Sequence, residues 1–294
     1  MQIFVQLTVS GLVLGSIYAL IALGFVLIYK SSDAINFAQG ELMLVGTYVA
    51  LTLVASYHVP FLIAFLITLA FSAALGLLVE RVVLRPFIGE PILSMIMATI
   101  GLSSLLGGVV HVIWGTDTRV FPAVFPDTPL NLDGIVISPV YLWSLVIVFI
   151  LLGLFSLFFK YSKMGIAMRA CADDQSASLS MGISVKKVFA ATWAISAMVS
   201  SVGGILLANI NGVNSSLSSI GLKVLPVAIL GGLDSIPGAI IGGFIIGILE
   251  GWAGGYVDQL VGGGVKEVIP FVILVLILMV KPYGLFGKKE IERV

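Results

Sequence analysis

Uncharged apolar runs of about twenty residues recur along this chain, separated by short polar breaks, and each run is long enough to cross a bilayer as a helix. They predict spans over roughly 4–29, 41–57, 60–79, 92–114, 140–159, 187–208, 236–253 and 266–281. A further apolar piece, LKVLPVAILGG near 222–232, is shorter. About twelve residues at ~1.5 Å each reach roughly 18 Å, against a hydrocarbon core of ~30 Å. The pattern predicts an all-α polytopic membrane protein, one unit over 1–294, with 8–9 crossings and short broken helices. One polar stretch is unlike the others: YSKMGIAMRACADDQSASLSMGISVKK, from Tyr161 to Lys187, still reads as helical.

Basic residues orient the spans, because cytoplasmic loops are enriched in Lys and Arg. With the 160–187 segment (Lys160, Lys163, Arg169, Lys186, Lys187) placed inside, Lys30, Arg81 and Arg85 also fall inside and the N-terminus outside. The tail, with Lys281, Lys288, Lys289 and Arg293, should be inside as well, which requires an odd number of crossings. Counting 222–232 as a crossing, helped by irregular backbone before it, gives nine. Arg119, Lys223 and Lys266 then remain outside.

Nine crossings divide into four helices, a linker helix and four helices, the second set inverted relative to the first. Each set opens with a small-residue helix (GLVLGSIYALIALG; AISAMVSSVGGILLA) followed by an Asn-containing break (DAINFAQGE; NINGVNSSLSS). Inverted repeats with broken helices are a transporter pattern. Asn36, Gln39, Asn209, Asn211 and Asn214 at these breaks are candidates to line a pathway, since polar side chains in a bundle face its interior. They could equally satisfy backbone groups where helices stop. Gly11 and Gly15, Gly238 and Gly242, and Gly243, Gly247 and Gly251 recur every four residues, the spacing of close helix contacts in lipid.

Composition agrees: 10% of the 294 residues are charged, against ~25% in soluble domains, and mean hydropathy is +1.17. A net charge of zero offers no basic surface for nucleic acid. The one cysteine, Cys171, cannot form an intrachain disulfide, and no Cys/His spacing suggests a metal. The first apolar run lacks a basic start and is too long for a signal peptide, so it is expected to stay as a helix. Glu41 and Glu250 fall at helix ends or within spans without evident partners, and His58 and His111 read as interfacial. No phosphate-binding loop, nucleophile elbow or zinc-protease motif occurs. Enzymatic activity is therefore not expected, and energy for active transport must come from a gradient or a partner.

In the 161–187 stretch, Asp173 or Asp174 suits an N-cap and Gly182 a left-handed C-terminal position. Between them Ala177, Leu179 and Met181 are small or apolar points among serines. A two-turn helix is unstable alone, so a capped one implies something to dock against.

RACADDQSASLSMGISVKKV resembles the cytoplasmic coupling loop of ATP-binding-cassette (ABC) importer permeases. With GLVLGSIYALIALGFVLIY, INFAQGE, ERVVLRP, AILGGLDSIPGAIIGG and KPYGLFG, nearly the whole chain is similar to the LivH-type permeases of branched-chain amino acid transport. Gln39 stands where that family often has histidine, and Pro226 and the short 115–139 loop are less typical.

The resemblance implies a subunit of the prokaryotic cytoplasmic (inner) membrane for branched-chain or other hydrophobic amino acids. Its partners would be a second, LivM-like permease or another copy of itself, two cytoplasmic ATPases and an external binding protein. It would bind no cofactor; ATP and Mg would sit on the partner subunits. Arg169, Asp173, Asp174, Ala177, Leu179, Met181, Gly182 and Ile183 would form the ATPase-coupling element. A related importer for urea, amides or simple sugars is the alternative. A self-sufficient secondary transporter would instead need ionisable residues at the midplane.

Overall fold

The computed structural model describes residues 2–287 except 123, 126, 127, 133 and 134, so the tail residues Lys288, Lys289 and Arg293 lie outside the described residues. The elements are α1 (Gln2–Ser32), α2 (Gln39–Leu51), α3 (Phe61–Val79), α4 (Ile92–Trp114), α5 (Pro139–Tyr161), α6 (Lys163–Asp173), α7 (Gln175–Ser180), α8 (Val185–Asn211), α9 (Leu217–Gly231), α10 (Ile236–Trp252), α11 (Asp258–Val261) and α12 (Val265–Val280). A π-helical turn extends each of α2, α3 and α10. The loop before α5 carries a hairpin of β1 (Leu130–Leu132) and β2 (Ile135–Ile137).

Among the described residues seven helices are long and apolar enough to span a bilayer, and α9 and α12 are shorter. These nine match the nine apolar pieces of the sequence. Helix α9 begins five residues before its apolar piece and keeps Pro226 inside it.

The bundle is apolar outside and partly polar inside, as lipid demands. Leu66 and Leu78 of α3, Leu105 and Val112 of α4, and Phe149 and Leu154 of α5 are exposed. The buried faces of the same helices carry Thr68 and Ser72, Thr99, and Ser144. Helix α1 runs through the centre, continuously buried from Gly15 to Ile28.

Exchanging α1, α2, α3, α4 with α8, α9, α10, α12 reproduces the packing. Helix α1 packs on α10 as α8 does on α3, and on α9 as α8 does on α2. Helix α2 meets α3 and α4 as α9 meets α10 and α12. The two halves are inverted, because the C-terminal end of α1 lies beside the loop before α10: the Lys30 ammonium donates to Asp234 O at 2.8 Å. At the opposite end the Trp252 indole, closing α10, donates to Thr8 of α1 at 3.0 Å.

Glycines set how close these helices come. A Cβ on Gly11 would sit 2.7 Å from Gly247 O, one on Gly15 2.6 Å from Gly243 O, and one on Gly251 2.8 Å from Leu7 O. Gly238 and Gly242 face α9 instead, against Gly231 and Val227. At the molecule's centre Gly40 of α2 meets Ser218 and Gly221 of α9, so the broken helices of the two halves cross near their N-termini.

Lys30, Arg81, Arg85, Lys160, Lys163, Arg169, Lys186, Lys187 and Lys281 all belong to one end of the bundle, termed the basic end. The other end holds the start of α1, the loops after α2, α4 and α8, and the α10–α12 connection.

Candidate functional site

A cavity of about 620 Å³ opens among α1, α8, α9, α10 and α12, away from the basic end. Asn211 and Asn214, in the break between α8 and α9, line it with Tyr18, Lys223, Glu250 and Glu267. The Lys223 ammonium pairs with Glu267 and stands 3.8 Å from Glu250 Oε1, and the Tyr18 hydroxyl donates to the same oxygen at 3.3 Å. Lys223 and Glu250 side chains are 12% and 7% exposed, whereas Glu267 is 51% exposed. Glu250 Oε2 is buried with no hydrogen-bond partner.

One expectation is corrected: Glu250, which the sequence leaves without evident partners, has them. Lys223 belongs to α9 and lies at the side away from the basic end. A charge in a span costs ~2.5–3.5 kcal/mol on insertion scales, so placing Lys223 between two carboxylates offsets a penalty that neither sign could bear alone.

The first break is built differently. Asn36 Oδ1 accepts from Ala38 N at 3.0 Å, satisfying a free donor at the start of α2. Its amide donates to Gln39 Oε1 at 2.9 Å, and Gln39 Nε2 donates to Ser196 at 2.9 Å and to Ser200 of α8. Both side chains are fully buried. Gln39 meets Gly24 and the middle of α8, so α2 starts well inside the bundle. Glu41, in the first turn of α2, therefore lies within the bundle against Ser103 of α4. Asn209 bonds back to Ile205 O at 2.8 Å.

At the basic end, Ser162 caps α6, accepting from Gly165 N at 2.9 Å. Arg169 turns back onto α5, donating to Phe159 O and, at 3.2 Å, to Lys160 O, so it satisfies carbonyls left free at that helix end. Of the two aspartates, Asp174 caps α7, accepting from Ala177 N at 2.9 Å, while Asp173 ends α6.

Gly182 has φ +83° and closes α7. Its N–H bonds Leu179 O at 3.0 Å, and Ile183 N–H bonds Ser178 O at 3.0 Å, the paired bonds of a Schellman ending. Ser178 is the buried residue of α7 and faces Cys171 of α6. Burial pushes the Cys171 thiol above its usual range. Ala177, Leu179 and Met181 point outward, Leu179 59% and Met181 83% exposed. Gln175 donates to Ser31 O at 3.0 Å, tying α7 to the end of α1.

Residues 7–280 match the model of the family described as branched-chain amino acid transport system / permease component. The chain belongs to this family. The permease BraD of Pseudomonas aeruginosa, of a high-affinity branched-chain amino acid transport system, is 33% identical over 99% of this chain and 98% of its own length. LivH of Escherichia coli gives the same identity and coverage. The probable branched-chain amino acid permease LivH of Methanocaldococcus jannaschii is 30% identical over 95% of this chain and 91% of its own length. These relatives are transport permeases and not enzymes, and this family member is a multi-pass membrane protein.

Tyr18, Lys223 and Glu267 escaped the sequence reading of the permease. Only a charge within an apolar run marks Lys223, and nothing local links it to residues 27 and 44 positions on. Ser196 and Ser200, which hold Gln39, carry the one available signal: serines a helical turn apart inside a span.

Proposed function

We propose that the chain is the membrane subunit of an ABC importer of branched-chain amino acids. The observation that carries this reading is the family match along almost the entire chain. The geometry supports it: a capped helix, α7, presents Ala177, Leu179 and Met181 outward from the basic end. That end is cytoplasmic and the N-terminus external, following the placement of Lys and Arg, in the cytoplasmic (inner) membrane of a prokaryote. A second permease or another copy of this chain, two ATPases that bind ATP and Mg, and an external binding protein complete the machine. Closure of the ATPase pair moves α7 and biases a bistable bundle between outward- and inward-open states.

Reconstituting the chain with a second permease, two ATPases and a binding protein of such an importer and measuring uptake tests this. Leucine, isoleucine and valine should enter only with ATP and binding protein, and urea or a simple sugar should not. The buried Lys223–Glu250 pair suits a gradient-driven carrier, the other class considered. Uptake without ATPases would establish that class instead.

A further inference from the structure

Resting on the importer reading, we propose that the cavity beside Glu250 is a binding site for a free α-amino acid zwitterion, with Glu250 receiving the ammonium group and Lys223 the carboxylate.

The charges are unevenly matched. Two lysines, Lys223 and Lys266, and three carboxylates, Glu250, Asp258 and Glu267, line the cavity. Asp258 accepts from the backbone at the start of α12, and Lys223 pairs closely with Glu267 while remaining 3.8 Å from Glu250. Glu250 keeps an oxygen with no hydrogen-bond donor, although its side chain is only 7% exposed. A buried carboxylate oxygen without a donor is costly, and an ammonium group with three donors is the ligand chemistry that satisfies it. Tyr18 and Lys223 already fix the other oxygen, so the carboxylate is held in place before a ligand arrives.

Lys223 can take the ligand carboxylate because its closer partner is the exchangeable one. Glu267 is half exposed, and exposed ion pairs are worth little. Releasing it to water frees a lysine whose side chain stays in place. Leu14, Leu217 and Ile220 line the same cavity and offer apolar wall to a branched side chain. The volume, about 620 Å³, lies within the ~300–1,000 Å³ usual for small-molecule sites. A keto acid has no ammonium group and would leave the buried Glu250 Oε2 without a donor. The site therefore selects for the amino group.

The test uses the assembled transporter in detergent with Cys171→Ser and Ser219→Cys, an exposed residue of the cavity lining, so that one thiol of this chain reports at the cavity rim. Maleimide labelling at that thiol is timed with leucine, with its keto-acid analogue and with neither. Leucine should slow labelling and the keto acid should not. Glu250→Gln should raise the leucine concentration needed by about tenfold, the worth of a hydrogen bond to a charged group, without changing the unprotected rate.

Equal protection by leucine and the keto acid, unchanged protection in Glu250→Gln, or no protection at all would each overturn the proposal. Lys223→Met combined with Glu250→Gln removes the charges together. Normal leucine protection and uptake in that double variant would show a purely structural pair. Wild-type uptake measured in parallel decides the importer reading separately, since uptake can persist when protection fails.

Discussion

Glu80 and Arg85 show how one residue pair can depend on a local change of helix geometry. Arg85 Nε and Nη2 donate to the two carboxylate oxygens of Glu80 at 3.0 and 2.8 Å, a fork of parallel bonds. Residues five apart do not stack on an α-helix, but the π-helical turn over Glu80–Leu84 brings them into line. Glu80 is 1% exposed on its side chain, so removing its partner strands a buried charge. Arg85 itself is 35% exposed, so solvent screens part of that loss. Arg85→Ala should lower the melting temperature in detergent, and Glu80→Leu with Arg85→Leu should recover most of the loss. A single variant that melts like wild type would mean that the fork adds nothing. The motif ERVVLRP is plain in the sequence, yet the pairing is not, because its spacing is wrong for the helix that the apolar pattern predicts. Lys223 and Glu250 illustrate a different limit, since their proximity exists only after α9 packs on α10.

Among elements, glycine has two different meanings that the sequence writes identically. Gly15 and Gly247 lie where α1 and α10 cross backbone to backbone, and a side chain at Gly15 would meet Gly243 O at 2.6 Å. Gly108 of α4 and Gly153 of α5 face open space with nothing within 4 Å of an added Cβ. Gly15→Leu should therefore force the two central helices apart, and the chain should aggregate or lose its defined elution peak in detergent. Gly108→Leu and Gly153→Leu should elute and melt like wild type, helped slightly by higher helix propensity. Equal tolerance at Gly15 would contradict the close crossing.

The spans themselves were legible because a twenty-residue apolar run has few alternatives in a bilayer. Helix α4 occupies the very residues, 92–114, that its pattern predicts. The depth of the breaks was not legible. Where α2 starts depends on Gln39 finding Ser196 and Ser200, a contact between halves 157 and 161 positions apart in the chain. The Asn-containing breaks announce that helices stop there, and packing alone decides that one break forms a closed network and the other borders a cavity.

For the whole molecule, the arrangement at the basic end connects α7 to both inverted halves. Gln175 bonds the end of α1, and Lys30 beside it bonds the loop that leads into α10. Helix α6 links α7 to the end of α5 through Arg169. A displacement of α7 therefore reaches the central helix of the first half and its packing partner in the second. In the chain alone Ala177 and Leu179 are exposed and support none of these contacts, so replacing them should leave the fold intact, as surface changes usually stay within ~0.5 kcal/mol. If ATPase subunits cover this face, a glutamate there becomes a buried charge without a partner, at a cost of several kcal/mol. Ala177→Glu and Leu179→Glu are therefore expected to give inserted, normally abundant permease that fails to retain its ATPases and does not transport. Co-purification of the ATPases with each variant, measured beside substrate uptake, checks this. Wild-type recovery and uptake in both variants would mean that α7 is not the docking helix, and movement would then have to enter the bundle elsewhere.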